Sequence, residues 1–131
     1  MRRLGLATLV AALGVLVPQY ASAGAGMPDH HQMVALYVID HNGDTPVSDA
    51  VLVAYAQPFQ KILEGCRINV DDLTNRVLAL ADQAGWNGGR TVTSLEMLRA
   101  IARRISWPLT TPHGCGYIYN LAEAHMETGG P

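Results

Sequence analysis

The sequence predicts an all-α fold, a small bundle of four or five short helices closed by one disulfide. Apolar residues recur at three- and four-residue spacing along most of the chain, and capping and stop signals bracket those stretches. Two cysteines, Cys66 and Cys115, stand far apart in the sequence with no third to compete.

Residues 1 to 23 are set apart from that domain. Arg2 and Arg3 precede an apolar run from Leu4 to Val17, and Pro18 then leads to Ala21-Ser22-Ala23. Charge, greasy stretch and small-residue site come in signal-peptide order, so cleavage is expected after Ala23. The run is too short to span a bilayer core as a helix, for which roughly 20 residues are needed, so no stable membrane span is expected after cleavage. Residues 24–131 would form one secreted domain, extracellular, periplasmic or in the cell envelope. It keeps seven basic and eleven acidic residues, a charge of −4.

Met33 to Ile39 is a short apolar run that periodicity alone does not assign. Asp29, three residues before Gln32, is a helix start signal, Gly43 is a stop, and no second strand is evident, so helix is preferred. From about Val47 to Cys66, Val51, Leu52, Tyr55, Phe59, Ile62, Leu63 and Cys66 share one face while Gln57, Gln60, Lys61 and Glu64 share the other. Pro58 deletes a backbone donor there, so a kink or split is expected. Residues 70 to 84 form the next helix, capped by Asn69 or Asp71, with Leu73, Val77, Leu80, Ala81 and Ala84 inward and Gly85 as a left-handed stop. Residues 86 to 90 then read as a loop.

The sharpest borders belong to residues 93 to 106. Thr93 and Glu96 have capping-box spacing, with Val92 and Met97 as the flanking apolar pair. Leu95, Leu98, Ile101, Ala102 and Ile105 fall on one arc, and Glu96, Arg99, Arg103 and Arg104 fall outside it. Pro108 sets the stop near Trp107. A short last helix over 117 to 126 turns Tyr117, Leu121 and Ala124 inward, and residues 129 to 131 should fray.

Export places Cys66 and Cys115 in an oxidising compartment, where they should pair. Closing a loop of about 50 residues is worth roughly 4 kcal/mol in the chain-entropy model. A domain of this size has about 5 to 15 kcal/mol in total.

The chain has 131 residues, 49% apolar and 15% charged, which suits one globular domain and not a disordered tail. A formal charge of −2 offers nothing for gripping a phosphate backbone, so nucleic acid is not an expected partner. Phosphate-cradling glycine loops, the zinc-protease helix motif, paired-cysteine motifs and the serine elbow are absent.

The most specific local signal is Asp40-His41-Asn42-Gly43-Asp44. Calcium needs six to eight oxygens converging at about 2.5 Å, and alternate oxygen side chains around a tight turn begin such a set. Asp40, Asn42 and Asp44 take the first, third and fifth positions, Val47 the apolar eighth and Ser48 the ninth, so the segment resembles an EF-hand loop. Thr45 stands at the sixth position instead of glycine and Val51 at the twelfth instead of the bidentate carboxylate, which removes two oxygens. Asp49 substitutes only if the loop takes another path. The plain alternative is a polar turn between helices, in which Asp and Asn tolerate the dihedrals. No cofactor is expected on this reading, and calcium is the alternative.

Met27, Asp29, His30, His31 and Met33 offer copper-type ligands, set against the plainer reading of a polar helix start. His113 stands two residues from Cys115, but an oxidised cysteine is no nucleophile. His125 lies at the margin of the last helix. Arg99, Arg103 and Arg104 read as a solvated flank. Trp86 and Trp107 sit at helix ends, where an indole lines a groove or, by default, closes the core.

The leading expectation is a secreted, non-enzymatic helical module that binds a protein or a small apolar ligand. The first alternative is a calcium-binding helix-loop-helix protein using Asp40, Asn42, Asp44 and Ser48. The second is a small extracellular hydrolase with His113 or His125 as base.

Overall fold

A computed structural model describes residues 29–106 and 114–129. They form five helices and, among the described residues, no strand: α1 His30–Asp40, α2 Ala50–Cys66, α3 Val70–Gly88, α4 Ser94–Ala102 and α5 Gly114–Glu127. The signal-peptide stretch, Met27, Trp107 and His113 lie outside the described residues.

α1 begins where Asp29 accepts from the backbone amides of His31 and Gln32 at 3.1 and 3.4 Å. Met33 and Leu36 carry it into the core. It ends as Asn42 and Gly43 turn left-handed, at φ of 56° and 97°, and the Gly43 amide returns to the Val38 carbonyl at 2.9 Å.

α2 starts three residues later than expected, at Ala50, and runs unbroken through Pro58, so the expected split does not occur. Proline in a helix interior costs about 3 kcal/mol. Burying Tyr55, Phe59 and Ile62 gives about 1.5 to 3 kcal/mol each, which outweighs that cost and keeps both halves on one core.

α3 is capped by Asn69, whose side chain accepts from the Asp72 amide at 2.8 Å, and it carries Asp71 and Asp72 in the turn where the dipole favours anions. Gly85 is not its stop. The helix continues through Trp86 and Asn87 to Gly88, and Gly89, at φ 68°, is the left-handed cap. Gly85 serves close approach instead: an added Cβ would lie 2.7 Å from the Arg90 carbonyl oxygen of the returning chain.

α4 has the expected box, with the Glu96 amide donating to Thr93 Oγ1 at 3.1 Å and the Thr93 amide to Glu96 Oε1 at 2.9 Å. The regular helix ends at Ala102, ahead of the expected stop. The Arg104 and Ile105 amides then bond the Ile101 and Ala102 carbonyls three residues back, a tightened last turn. Only Arg99 of this helix is fully exposed. α4 packs against each of the other four helices and is the centre of the bundle.

α5 starts three residues earlier than expected and presents another face. Ile118, Tyr119, Ala122 and Met126 are buried, whereas Tyr117, Leu121 and Ala124, expected inward, are exposed. Cys115 decides this: its bond to Cys66, with the Cα atoms 5.6 Å apart, pins the first turn, and residues three, four, seven and eleven further on follow that side. Tyr55 and Ser94 meet on Asp40 while Gly65 lies against Ile105, so α2 and α4 run in one direction. Arg76 lies over Tyr119 and Asn87 bonds Glu127, so α3 and α5 also run parallel. No helix among the described residues is long and apolar enough to cross a membrane.

Candidate functional site

Asp40 ends α1 with its carboxylate against α4. Its Oδ1 accepts from the Ser94 amide at 2.7 Å, and its Oδ2 accepts from the Tyr55 hydroxyl at 2.8 Å, the Ser94 hydroxyl at 2.9 Å and the Leu95 amide at 3.1 Å. An anion at the first turn of a helix meets free amides and the positive end of the dipole, so Asp40 caps α4 from another element. Burial, and then the bond to Asp40, push the Tyr55 hydroxyl well above the usual tyrosine range.

The remaining EF-hand-like residues take no part in this network. Asn42, Asp44 and Ser48 are exposed in the α1–α2 turn. A calcium ion held by Asp40 would compete with the three donors on Oδ2 and the Ser94 amide on Oδ1. Among the described residues, no group of three or more His, Cys, Asp or Glu is arranged to hold a metal ion.

The amino-terminal cluster also separates. Asp29 caps α1, Met33 is fully buried, and His30 and His31 are exposed with ring centroids 6.2 Å apart. His41 stacks on Tyr37 at 3.8 Å and its ring nitrogen Nδ1 lies 2.8 Å from the Tyr37 carbonyl oxygen. Ser94 pairs its hydroxyl with the Asp40 carboxylate and is buried, at 2% exposure. His125 is half-buried on α5, and its carbonyl accepts from the Thr128 hydroxyl at 2.8 Å. Arg99 on α4 and Arg103 just past its end are exposed, and Arg104 bonds the Ala100 carbonyl at 2.7 Å.

Trp86 corrects the expectation that it closes the core: it is 85% exposed. The inward stripe of α3 passes through Leu73, Val77, Ala81 and Ala84, and position 86 lies about 200° round the helix from Ala84, on the far side. Beside the indole is a depression of about 290 Å³ lined by Ala81, Asp82, Gly85, Arg90, Thr91 and Val92. Glycine at 85 lets the returning chain at Arg90 and Val92 close against α3 there.

A second, larger groove of about 590 Å³ follows the α3–α5 seam past Ile68, Asp72, Arg76, Leu80 and Glu123. The Arg76 guanidinium sits 5.2 Å from the centre of the Tyr119 ring. Burial pushes the Tyr119 hydroxyl up and Arg76 opposes it. Sequence reasoning missed this seam, because its walls come from residues more than 40 positions apart.

Comparison with family models, with curated proteins and with solved structures finds no match to this chain.

Proposed function

We propose that the chain is an exported, non-enzymatic helical module that binds a protein or a small apolar ligand through the surface around Trp86. The exposure of that indole carries the reading. Water is a poor solvent for so large an apolar ring, and burying it on a partner recovers free energy that the fold leaves unused. Tryptophan is among the residues that dominate binding energy at interfaces, especially where it adjoins a pocket. The depression on its flank supplies the concavity that a small ligand or a partner side chain needs.

Export rests on the order of features in residues 1 to 23 and on the Cys66–Cys115 bond, which an oxidising compartment maintains. Mass spectrometry of the product from its own cells should show a chain beginning at Gly24 with no free thiol; an intact Met1 end overturns export.

Binding is tested by placing the photo-crosslinker p-benzoylphenylalanine at position 86 and, as a control, at the exposed Gln57. The expected result is one discrete adduct, protein or small molecule, from position 86 alone. Its partner, once purified, should bind the native chain saturably and Trp86→Ala at least about tenfold more weakly, with an unchanged melting temperature, because truncating an interface anchor costs about 2 kcal/mol or more. No adduct beyond the control, or equal binding by Trp86→Ala, overturns the reading.

A further inference from the structure

The surroundings of Trp86 narrow the chemistry of its partner. α3 and α5 run in parallel and finish together: an added Cβ at Gly88 would lie 2.7 Å from the Glu127 carbonyl oxygen, and the Asn87 amide donates to the Glu127 carboxylate at 3.0 Å. Two helix C-termini therefore lie side by side, each carrying about half a negative charge. The last turn of α3 has no basic residue, and that of α5 has only His125.

Carboxylates add to this field. Asp82 lines the depression beside Trp86, one turn earlier on the same helix. Glu127 stands at the adjoining end of α5, and Glu123, one turn earlier, lines the groove that also holds Arg76. The Glu123 carboxyl is pushed above its usual range, first by burial and then by the charge of Glu127. The Arg90 guanidinium is already engaged: it bonds the Met126 carbonyl at 3.1 Å and the Thr91 carbonyl at 3.3 Å, and it stands 4.0 Å from Glu96. Its charge offsets part of the α5 terminus, and Arg76 shares a groove with Glu123, so Asp82, Glu127 and the α3 terminus carry the negative charge that remains.

We propose that this end of the bundle takes a cationic, partly apolar segment of a partner protein, with a Lys or Arg side chain over the Trp86 indole and facing Asp82 and Glu127. The proposal rests on the binding reading above and adds to it the charge of the partner. Indole is the best aromatic face for a cation, and complementary charge steers and orients docking. Anionic lipid surfaces and acidic segments are repelled from the same place.

The test uses the full chain carrying Trp107→Phe, which leaves Trp86 as its one indole. It is titrated with acetyl-Leu-Arg-Leu-Arg-Leu-Arg-amide and with the same peptide bearing Glu for Arg. The Arg peptide should shift Trp86 emission saturably, bind at least about tenfold tighter than the Glu peptide, and weaken as salt rises from about 50 to about 200 mM. Asp82→Asn with Glu127→Gln should lower its affinity at least about fivefold while the melting temperature holds, and Trp86→Ala, followed by calorimetry, should lower it too.

Equal binding of the two peptides, no saturable response to the Arg peptide, or no loss in either variant overturns the proposal. An adduct at position 86 whose partner proves acidic or uncharged overturns the cationic assignment and leaves the binding surface standing. Absence of any adduct removes the surface itself.

Discussion

A carboxylate that accepts from a phenol, a hydroxyl and two backbone amides joins three helices at one point, and Asp40 does this for α1, α2 and α4. Asp40→Asn keeps the shape but removes the charge and turns an amide N–H toward donors. It should cost about 2 to 3 kcal/mol in urea unfolding. Tyr55→Phe removes one hydrogen bond and should cost about 1 kcal/mol. Because the two groups touch, the double variant should fall short of the summed costs by at least about 0.5 kcal/mol. Additivity would show that the contact carries no energy. Tyr55 also sets an alkaline limit. Its hydroxyl holds its proton in the folded chain to a higher pH than in the unfolded one, so the stabilisation is complete below about pH 10, the unfolded value, and is lost as pH rises beyond it. Tyr119 is shifted the same way. Unfolding measured between about pH 9 and 11 should show the decline, and Tyr55→Phe should flatten part of it. A calcium site would show itself in another way. With the oxygens of Asp40 already engaged, melts in millimolar calcium and in chelator should coincide. A rise growing as RT ln(1 + [L]/Kd) would instead assign Asn42, Asp44 and Ser48 to an ion.

Among the helices, α4 was the most legible, since Thr93 and Glu96 satisfy each other's backbone within three residues and need no help from the rest of the fold. The Asp29 cap was legible for the same local reason, and that of α3 was narrowed to Asn69 or Asp71, of which Asn69 takes the role. Helix ends were less so. Gly85 and Gly89 are equivalent in composition, and only the path of the returning chain decides which one turns left-handed and which one admits a neighbour. The two apolar stripes of α5 were likewise indistinguishable by period alone, and the spacing from Cys115 was the unused signal. Close approach gives a test at this scale. Gly88→Ala gains about 1 kcal/mol of helix propensity but places a methyl 2.7 Å from the Glu127 carbonyl oxygen, an overpacking cost of about 1 to 3 kcal/mol. The variant should melt lower than the native chain. A higher melting temperature would mean that the ends of α3 and α5 are not held together.

For the molecule as a whole, the Cys66–Cys115 bond ties the end of α2 to the first turn of α5 across 49 positions of sequence. Replacing both cysteines with serine should cost about 2 to 5 kcal/mol, read from denaturant unfolding with the m-value fitted for each chain, since the uncrosslinked unfolded state is more expanded. A cost near zero would mean that α3 and α4 hold α5 without it. Helical class, element order, the caps and the one possible cysteine pairing came from the chain alone, because each depends on groups a few residues apart or on a pairing without competitors. Tertiary structure decided the rest: that α4 sits at the centre, that Asp40 caps it from another helix, which face α5 presents, and that Trp86 faces water. Those outcomes depend on which helix lies beside which, and burial is a property of neighbours that no local period records.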